Sequence, residues 1–205
     1  MNENPYFREP EYAERYRNQR FATGHGPRTD QRERQALRAL LAAAPAQQGP
    51  WLDMPSGAGR MSAELPGPVL QIDRDPEMLR ASTAPGGRLC GSALSLPLAD
   101  GLFAGVLCCR LLQHLGVRAD RVRVLSEIRR VNRGSVILSF FDAHSLLHLR
   151  RTLRRALGKK RSGRSAISRR QLGLDLAEAG LEPVRWLPLQ RFVAEQTFVL
   201  CRNRD

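Results

Sequence analysis

The sequence predicts an α/β fold built on a parallel sheet with helices on both faces, and two observations carry this prediction. Apolar runs of strand length alternate along the chain with segments of helical periodicity. The first run, Trp51 to Asp53, leads into a glycine-bearing turn, and the second, Val69 to Ile72, ends at the acid Asp73. A strand, a glycine turn, a helix, a second strand and an acid form the usual nucleotide-binding unit. We therefore expect one main domain with a ligand site at the carboxyl ends of its strands.

The glycine turn and the acid after the second strand are the predicted ligand contacts. Gly57 and Gly59 let the backbone approach a ligand closely. Asp73, at the end of the next strand, has the oxygens needed to accept both hydroxyls of a ribose. The structural alternative is a tight turn in some other α/β protein, with Asp73 serving only as a helix cap.

The segment Asp53 to Gly59 resembles the first motif of the class I S-adenosylmethionine (SAM) dependent methyltransferases, in which an acid precedes a GxGxG turn. Gly57 and Gly59 stand at the last two glycines, and Pro55 takes the place of the first. The segment Ile72 to Leu79 resembles the second motif of the family.

Downstream segments extend the resemblance, with departures. Leu96 to Phe103 is similar to the family pattern LPF-x-DGSF, and Gln113-His114-Leu115 stands where HHL is usual. Ser92 occupies the position of the acid that normally faces the adenine amino group, and Ala104 replaces the acid after the phenylalanine.

The resemblance implies a Rossmann-like class I methyltransferase sheet of five parallel strands plus an antiparallel edge hairpin, and SAM as cofactor. In that family the first acid orders the glycine turn and the amino-acid end of SAM, and the second acid holds the ribose. Met78, or Arg74 through the stem of its side chain, would then flank the adenine, and Ser92 and the backbone of Ala93 would contact its edge. The predicted cofactor residues are Asp53, Pro55, Ser56, Gly57, Gly59, Asp73, Arg74, Met78, Ser92, Ala93 and Arg110.

His114 is the candidate catalytic base, because the pKa of an unperturbed histidine lies near neutrality. The alternative is a loop histidine with no catalytic role. A base is needed only if the methyl acceptor arrives protonated. The four cysteines show no metal-ligand spacing, so we expect no metal site and a reducing, cytoplasmic setting.

Local signals place the remaining elements. We expect residues 1–29 to form a cap segment or a mobile lead-in, and residues 30–205 to form the SAM-binding domain. The pattern predicts a helix over Glu11 to Phe21 and a helix after the glycine turn. Capping boxes, Asp30 to Glu33 and Ser168 to Gln171, predict two further helix starts. A turn is expected at Asn132 to Gly134, as are two closing strands near Val184 to Leu187 and Phe192 to Cys201.

The net charge is +13, and it is concentrated in one segment. Ten lysines and arginines and no acid lie between Arg150 and Arg170, within a predicted basic helical insertion at about 143–167. Leu146, Leu149, Leu153 and Leu157 form one helical stripe there. The segment Leu146 to Arg170 is either a solvated helix or a lid that also contacts an anionic membrane surface at the inner face of the membrane.

The leading functional prediction is methyl transfer to a small-molecule or lipid-like acceptor. A nucleic-acid methyltransferase is a second candidate because basic residues neutralise phosphates. However, the NPPY and DPPY signatures of amino-methylating enzymes of nucleic acids are absent. A third candidate is a non-catalytic SAM-binding or interaction protein, which the replaced acids at Ser92 and Ala104 motivate.

Overall fold

The computed structural model describes residues 10–21, 23–24, 26–46, 48–145, 165–190 and 196–204. Seven strands in these ranges form a single sheet. They are β1 (Trp51–Asp53), β2 (Val69–Asp73), β3 (Gly87–Cys90), β4 (Phe103–Cys108), β5 (Asn132–Phe141), β6 (Leu181–Pro188) and β7 (Gln196–Asn203). Their order across the sheet is β3-β2-β1-β4-β5-β7-β6.

The first five strands are parallel and the last two are antiparallel. β1 pairs with β2 and β4, β2 with β3, and β4 with β5, all in parallel. β7 runs antiparallel to both β5 and β6. The predicted fold class is confirmed, because the sheet has five parallel strands and an antiparallel pair at one edge.

Helices cover both faces of the sheet. They are α1 (Pro10–Gln19), α2 (Gly26–Ala43), α3 (Pro76–Arg80), α4 (Arg118–Val131) and α5 (Arg169–Glu178). The buried side chains of α4 and α5 pack with one set of strand residues, and those of α2 pack with another. Of the helices that the structure describes, none has the length and apolar character that crossing a membrane requires.

Alternation along the strands decides which layer each side chain enters. In β4, Val106 and Cys108 belong to the core shared with α4 and α5, whereas Leu107 belongs to the core shared with α2. All three are fully buried. A parallel strand covered on both faces must be apolar throughout, which explains why this run lacks polar positions.

A close contact between β1 and β4 requires glycine. The Trp51 ring lies over Gly105, where a Cβ atom would fall within 2.4 Å of Cζ2 of the ring. Gly105 therefore provides the space that the buried Trp51 side chain occupies.

Side-chain caps mark two helix starts, and the start predicted at Ser168 is confirmed. Asp75 Oδ1 accepts from Glu77 N at 2.9 Å, with Pro76 in the first turn of α3. Ser168 Oγ accepts from Gln171 N at 3.1 Å at the start of α5. The Gln171 side chain does not complete the box, since its Nε2 donates to Asp175 Oδ1 at 2.9 Å instead.

The predicted capping box at Asp30 to Glu33 is wrong. Helix α2 already begins at Gly26, with Pro27 in its first turn, so both acids lie inside the helix. Their carboxylates accept hydrogen bonds from arginine side chains rather than from backbone amides. The domain division between residues 29 and 30 stays a prediction.

Two other local expectations are corrected. The helix expected from Met61 is only a single 3-10 turn, Ser62–Glu64, because Pro66-Gly67-Pro68 follows at once. Asn132 to Gly134 is not a turn but the first part of β5. The Asn132 side chain bonds both the carbonyl and the amide of Gly134, at 2.8 and 3.2 Å, and so shapes this strand start.

Candidate cofactor and acceptor site

The glycine turn lies at the carboxyl edge of the sheet and is tied to strands on both sides. Met54 N donates to Leu107 O at 2.9 Å, and Ser56 N donates to Ile72 O at 2.9 Å. Because β1, β2 and β4 are parallel neighbours, their carboxyl ends meet at this edge. The structure therefore brings together the turn and the residues that follow β2 and β4.

Asp73 holds the turn in place. Its Oδ2 accepts from Gly57 N at 2.8 Å, and its Oδ1 accepts from Asp75 N at 3.0 Å. Burial raises the pKa of Asp73, and these two N–H groups oppose the rise. Asp73 thus makes the turn-ordering contact that was predicted for Asp53.

Asp53 lies beneath the turn and is fully enclosed. Its Oδ2 accepts from Ser62 Oγ at 2.6 Å, and only 1% of the residue is exposed. Burial raises the pKa of Asp53 to about 7, although the Ser62 hydroxyl and Arg60 act to lower it. Asp53 therefore joins the turn to the following 3-10 turn through Ser62.

The two glycines of the turn serve different purposes. Gly57 has a φ of +54°, and a Cβ there would meet Met78 Cε at 3.3 Å. Gly59 has a φ of +71°, and a Cβ there would fall 2.0 Å from Ser82 Oγ and 2.6 Å from Gln71 Oε1. Gly59 is required by close packing, whereas the surroundings of Gly57 suit backbone approach to a ligand. Pro55 and Ser56 lie between them and β1.

An unsatisfied acceptor lies beside Asp73. Asp75 is 8% exposed, and among the described residues its buried Oδ2 has no hydrogen-bond partner. A buried acceptor in this condition costs about 1–3 kcal/mol, which a ligand hydroxyl would recover. The sequence analysis did not single out Asp75. Its signal was a second aspartate two residues after Asp73, the residue predicted to hold the ribose.

The predicted adenine contacts are spread over two elements. Met78 is buried against Ala13 of α1, Ala58 and Ala81, whereas Arg74 is exposed. α1 thus lies against α3 and the turn.

Ser92 follows β3 in a tight turn, where its Oγ accepts from Leu94 N at 3.2 Å. Ser92 is exposed and Ala93 is partly buried. Their contacts with adenine, like those of Arg74 and Met78, stay predictions.

A second cluster lies where β4 ends. Arg110 Nη1 donates to Glu33 Oε1 at 3.1 Å, and Arg60 Nη2 donates to Glu33 Oε2. The Glu33 side chain is completely buried. The guanidinium carbons of Arg60 and Arg110 lie 4.1 and 5.5 Å from the centre of the Phe21 ring.

Glu33, Arg60 and Phe21 were missed from the sequence. A signal for Glu33 was present, because it lies three, four and seven residues before Ala36, Leu37 and Leu40 on the buried stripe of α2. A carboxylate on a buried stripe needs a charged partner.

Arg110 has a strained but well-held backbone. Its φ is +65°, a conformation that side-chain-bearing residues rarely adopt. Its N–H donates to Ser139 Oγ at 2.8 Å, and its carbonyl accepts from Gln113 Nε2 at 2.8 Å. Such strain at the edge of a binding site is typical of functional positions.

His114 ends the 3-10 turn Leu112–His114, four residues beyond Arg110 of the ion-paired cluster, and is exposed. It follows β4 along the chain, and its role as a base that faces the acceptor stays a prediction. Neighbouring Cys109 is no nucleophile at neutral pH, since burial and the Glu33 charge together raise its pKa to about 12. Within the described ranges, no three metal-ligating side chains group together.

Comparison with known proteins agrees with this site. Residues 52–140 match the family model described as a methyltransferase domain. No curated protein matches the sequence.

Solved structures share the fold at low sequence identity. A magnesium protoporphyrin IX methyltransferase from Synechocystis, with bound S-adenosylhomocysteine (SAH), has a TM-score of 0.76 and 15% identity. The match covers 98% of this chain and 97% of that one. A SAM-dependent methyltransferase from Methanosarcina mazei has a TM-score of 0.65 and 18% identity over 80% of this chain and 97% of that one.

The sheet order and the glycine turn define a class I methyltransferase fold. Residues 52–140 match a methyltransferase domain, and the described residues share the fold of SAM-dependent methyltransferases, which implies SAM as the cofactor. The predicted family resemblance and cofactor are thereby confirmed.

The residues at the turn fit this cofactor. The unpartnered Asp75 Oδ2 and the second lone pairs of Asp73 offer acceptors for the two ribose hydroxyls. Gly57 has a positive φ and no side chain of its own, so a ligand could approach its backbone.

Proposed function

We propose that this protein transfers a methyl group from SAM to a small-molecule or lipid-like acceptor. The observation that carries the proposal is the shared edge at which the glycine turn after β1 adjoins the segment Arg110 to His114 after β4. A cofactor held at the turn would present its methyl group to an acceptor beside that segment. SAM supplies a methyl group that its sulfonium charge already activates.

The chain itself mainly positions the two reactants. Asp73 and Asp75 would accept from the ribose, and Gly57 would contact the cofactor through its backbone. Holding the nucleophile close to the methyl group converts the reaction to an intramolecular one, which is the principal catalytic contribution available here. His114 would remove a proton at its imidazole nitrogen if the acceptor carries one.

The residues after β4 support the proposed acceptor class. Arg110-Leu111-Leu112-Gln113 stands where amino-methylating enzymes of nucleic acids carry their proline-rich signature. Gln113 is buried, and its amide bonds the Arg110 carbonyl. This arrangement favours a small acceptor over a nucleobase.

A non-catalytic SAM-binding protein is the second candidate. It is supported by Ser92, which replaces an acid and uses its hydroxyl within its own turn. A protein of this kind would bind SAM without consuming it.

The test uses methyl-labelled SAM and a lysate of the source cell, with Asp73→Ala as the control. Label in a low-molecular-weight or lipid extract that Asp73→Ala abolishes supports the proposal. Label confined to RNA or DNA would favour the nucleic-acid alternative. Measurable SAM binding with no labelled fraction would favour the non-catalytic candidate.

We also propose peripheral contact with an anionic membrane through the basic segment. Most of it, residues 146–164, lies outside the described residues, so this rests on the sequence alone. Arg169, near its end, pairs with Asp142 at 2.7 Å and so belongs to the folded body. Sedimentation with anionic vesicles should fall when Arg150, Arg151, Arg154 and Arg155 are changed to Gln. Equal, negligible sedimentation of both forms would exclude the contact.

A further inference from the structure

Seven charged side chains form an alternating ladder from the surface of α2 to the end of β4. Six ion pairs join them, and the four pairs with N–O distances of 2.6–3.1 Å lie at both ends of the ladder. In order along the ladder they are Arg38, Glu64, Arg34, Asp30, Arg60, Glu33 and Arg110.

The ladder begins and ends with an arginine. Each carboxylate is shared by two guanidiniums, so the inner groups are fully paired. Burial acts to raise the pKa of Asp30, but hydrogen bonds from Arg34 and Arg60 outweigh it and lower that pKa. Asp30 therefore stays ionised, and the four guanidiniums exceed the three carboxylates by one positive charge.

The two terminal arginines differ in exposure. The Arg38 side chain is 64% exposed, so water solvates its charge. The Arg110 side chain is 16% exposed, and its one carboxylate partner, Glu33, also pairs with Arg60. Among the residues that the structure describes, Nε and Nη2 of Arg110 make no hydrogen bond. The incompletely paired end of the ladder therefore lies at the cofactor edge.

Arg110 is also fixed in place. Ser139 and Gln113 hold its backbone on both sides, and the Phe21 ring and Glu33 hold its guanidinium. A guanidinium whose geometry is set in advance loses little entropy on binding, and its fork matches a planar carboxylate. The ladder has one positive charge in excess, which a monoanionic ligand would neutralise. A dianionic phosphate would exceed that charge and would be repelled more strongly by the Glu33 carboxylate.

We propose that Arg110 binds a ligand carboxylate beside the glycine turn. This inference rests on the proposed function, since the carboxylate belongs either to the amino-acid part of the cofactor or to the methyl acceptor. Arg60 follows the turn directly and shares Glu33 with Arg110, so a carboxylate here would lie next to either reactant.

Calorimetry with SAH and with methylthioadenosine, which lacks the amino-acid part, tests the cofactor source. We compare the wild type with Arg110→Gln, with Arg110→Lys, and with the matched control Arg38→Gln at the solvated end. Loss of a charged hydrogen bond predicts roughly 10- to 100-fold weaker SAH binding for Arg110→Gln, with methylthioadenosine unaffected. Arg110→Lys keeps a positive charge beside Glu33. It therefore controls for the possibility that Arg110→Gln weakens binding only because the protein misfolds.

A benzoate titration tests the acceptor source. In the presence of SAH, benzoate should raise the melting temperature of the wild type and of Arg38→Gln, but not of Arg110→Gln. If neither SAH nor benzoate distinguishes Arg110→Gln from Arg38→Gln, the carboxylate site is refuted. Failure of the wild type to bind SAH or methylthioadenosine would instead refute the proposed function, and the same benzoate titration without SAH would then decide the site.

Discussion

Asp73 at the end of β2 accepts a hydrogen bond from Gly57 N in the turn after β1, at 2.8 Å. The residues are sixteen positions apart, and this contact fixes the turn before any ligand is present. One carboxylate therefore combines a structural role with the predicted ribose contact. Substitutions of Asp73 should affect both stability and cofactor binding.

We predict that Asp73→Asn lowers the free energy of unfolding by about 1–3 kcal/mol without cofactor, because one backbone N–H would face an amide NH₂. Asp73→Ala should also weaken SAM binding roughly 10- to 100-fold. Urea unfolding and calorimetry measure the two effects. Glu77→Gln is the control, since the Glu77 side chain pairs with the exposed Arg80 side chain. Normal stability with weakened binding would show that the Gly57 contact contributes nothing.

The pH dependence of stability should report the buried Asp53. Its pKa rises from 3.8 to about 7 on folding, so the folded state binds more protons than the unfolded state between these values. The stability that this group contributes is therefore lost as the pH rises from about 4 to about 7, and the loss is on the order of 4 kcal/mol at most.

Asp53→Asn removes this titration and should flatten the curve. Asp73 and Asp75 also have raised pKa values and contribute in the same direction, so the difference between variant and wild type isolates Asp53. Urea unfolding of both proteins at pH 5, 6, 7 and 8 makes the measurement. Parallel curves would mean that Asp53 is not titrating in this range.

Local sequence patterns predicted the strands of the sheet well, because buried strands are continuous apolar runs and the first of them ends at a glycine turn. The start of α2 was misplaced because Asp30 and Glu33 match a capping box. In the structure, Asp30 instead bonds the Arg34 side chain one helical turn later, and Glu33 bonds the Arg60 side chain beyond the glycine turn. A pattern of four residues cannot represent a partner 27 positions away.

The site was predicted in part for the same reason. Asp73 and Gly57 belong to a local motif, so their position was visible. The Glu33–Arg110 pair joins residues 77 positions apart, and only the sheet order brings them together. Contacts of this kind depend on tertiary structure and leave at most a weak signal, such as an acid on an apolar stripe.

We predict that Ser92→Asp tightens SAM binding. An aspartate can still accept from Leu94 N, as Ser92 Oγ does at 3.2 Å, so the turn should survive. The added charge would face the adenine edge if the pocket has the family geometry. Calorimetry compares it with Ser95→Asp, an exposed neighbour in the same turn. If Ser92→Asp binds more weakly than Ser95→Asp, Ser92 does not face the adenine.

Gly59→Ala should destabilise the fold more than Gly101→Ala, although both glycines have positive φ values, +71° and +59°. At Gly101 a Cβ would meet nothing within 4 Å, so alanine there costs only the backbone strain of about 1–2 kcal/mol. At Gly59 the new Cβ would lie 2.0 Å from Ser82 Oγ, which is hydrogen-bonded to Gln71 Oε1 at 2.5 Å. Displacing this buried pair adds about 1–3 kcal/mol.

The difference between the two variants in urea unfolding therefore measures the packing requirement at the glycine turn. Because Gly101 lies outside the cofactor edge, Gly101→Ala should also leave SAM binding unchanged, whereas Gly59→Ala should weaken it by displacing the turn. Equal loss of stability in the two variants would mean that Ser82 and Gln71 move aside without cost, and that only the backbone conformation selects glycine at position 59.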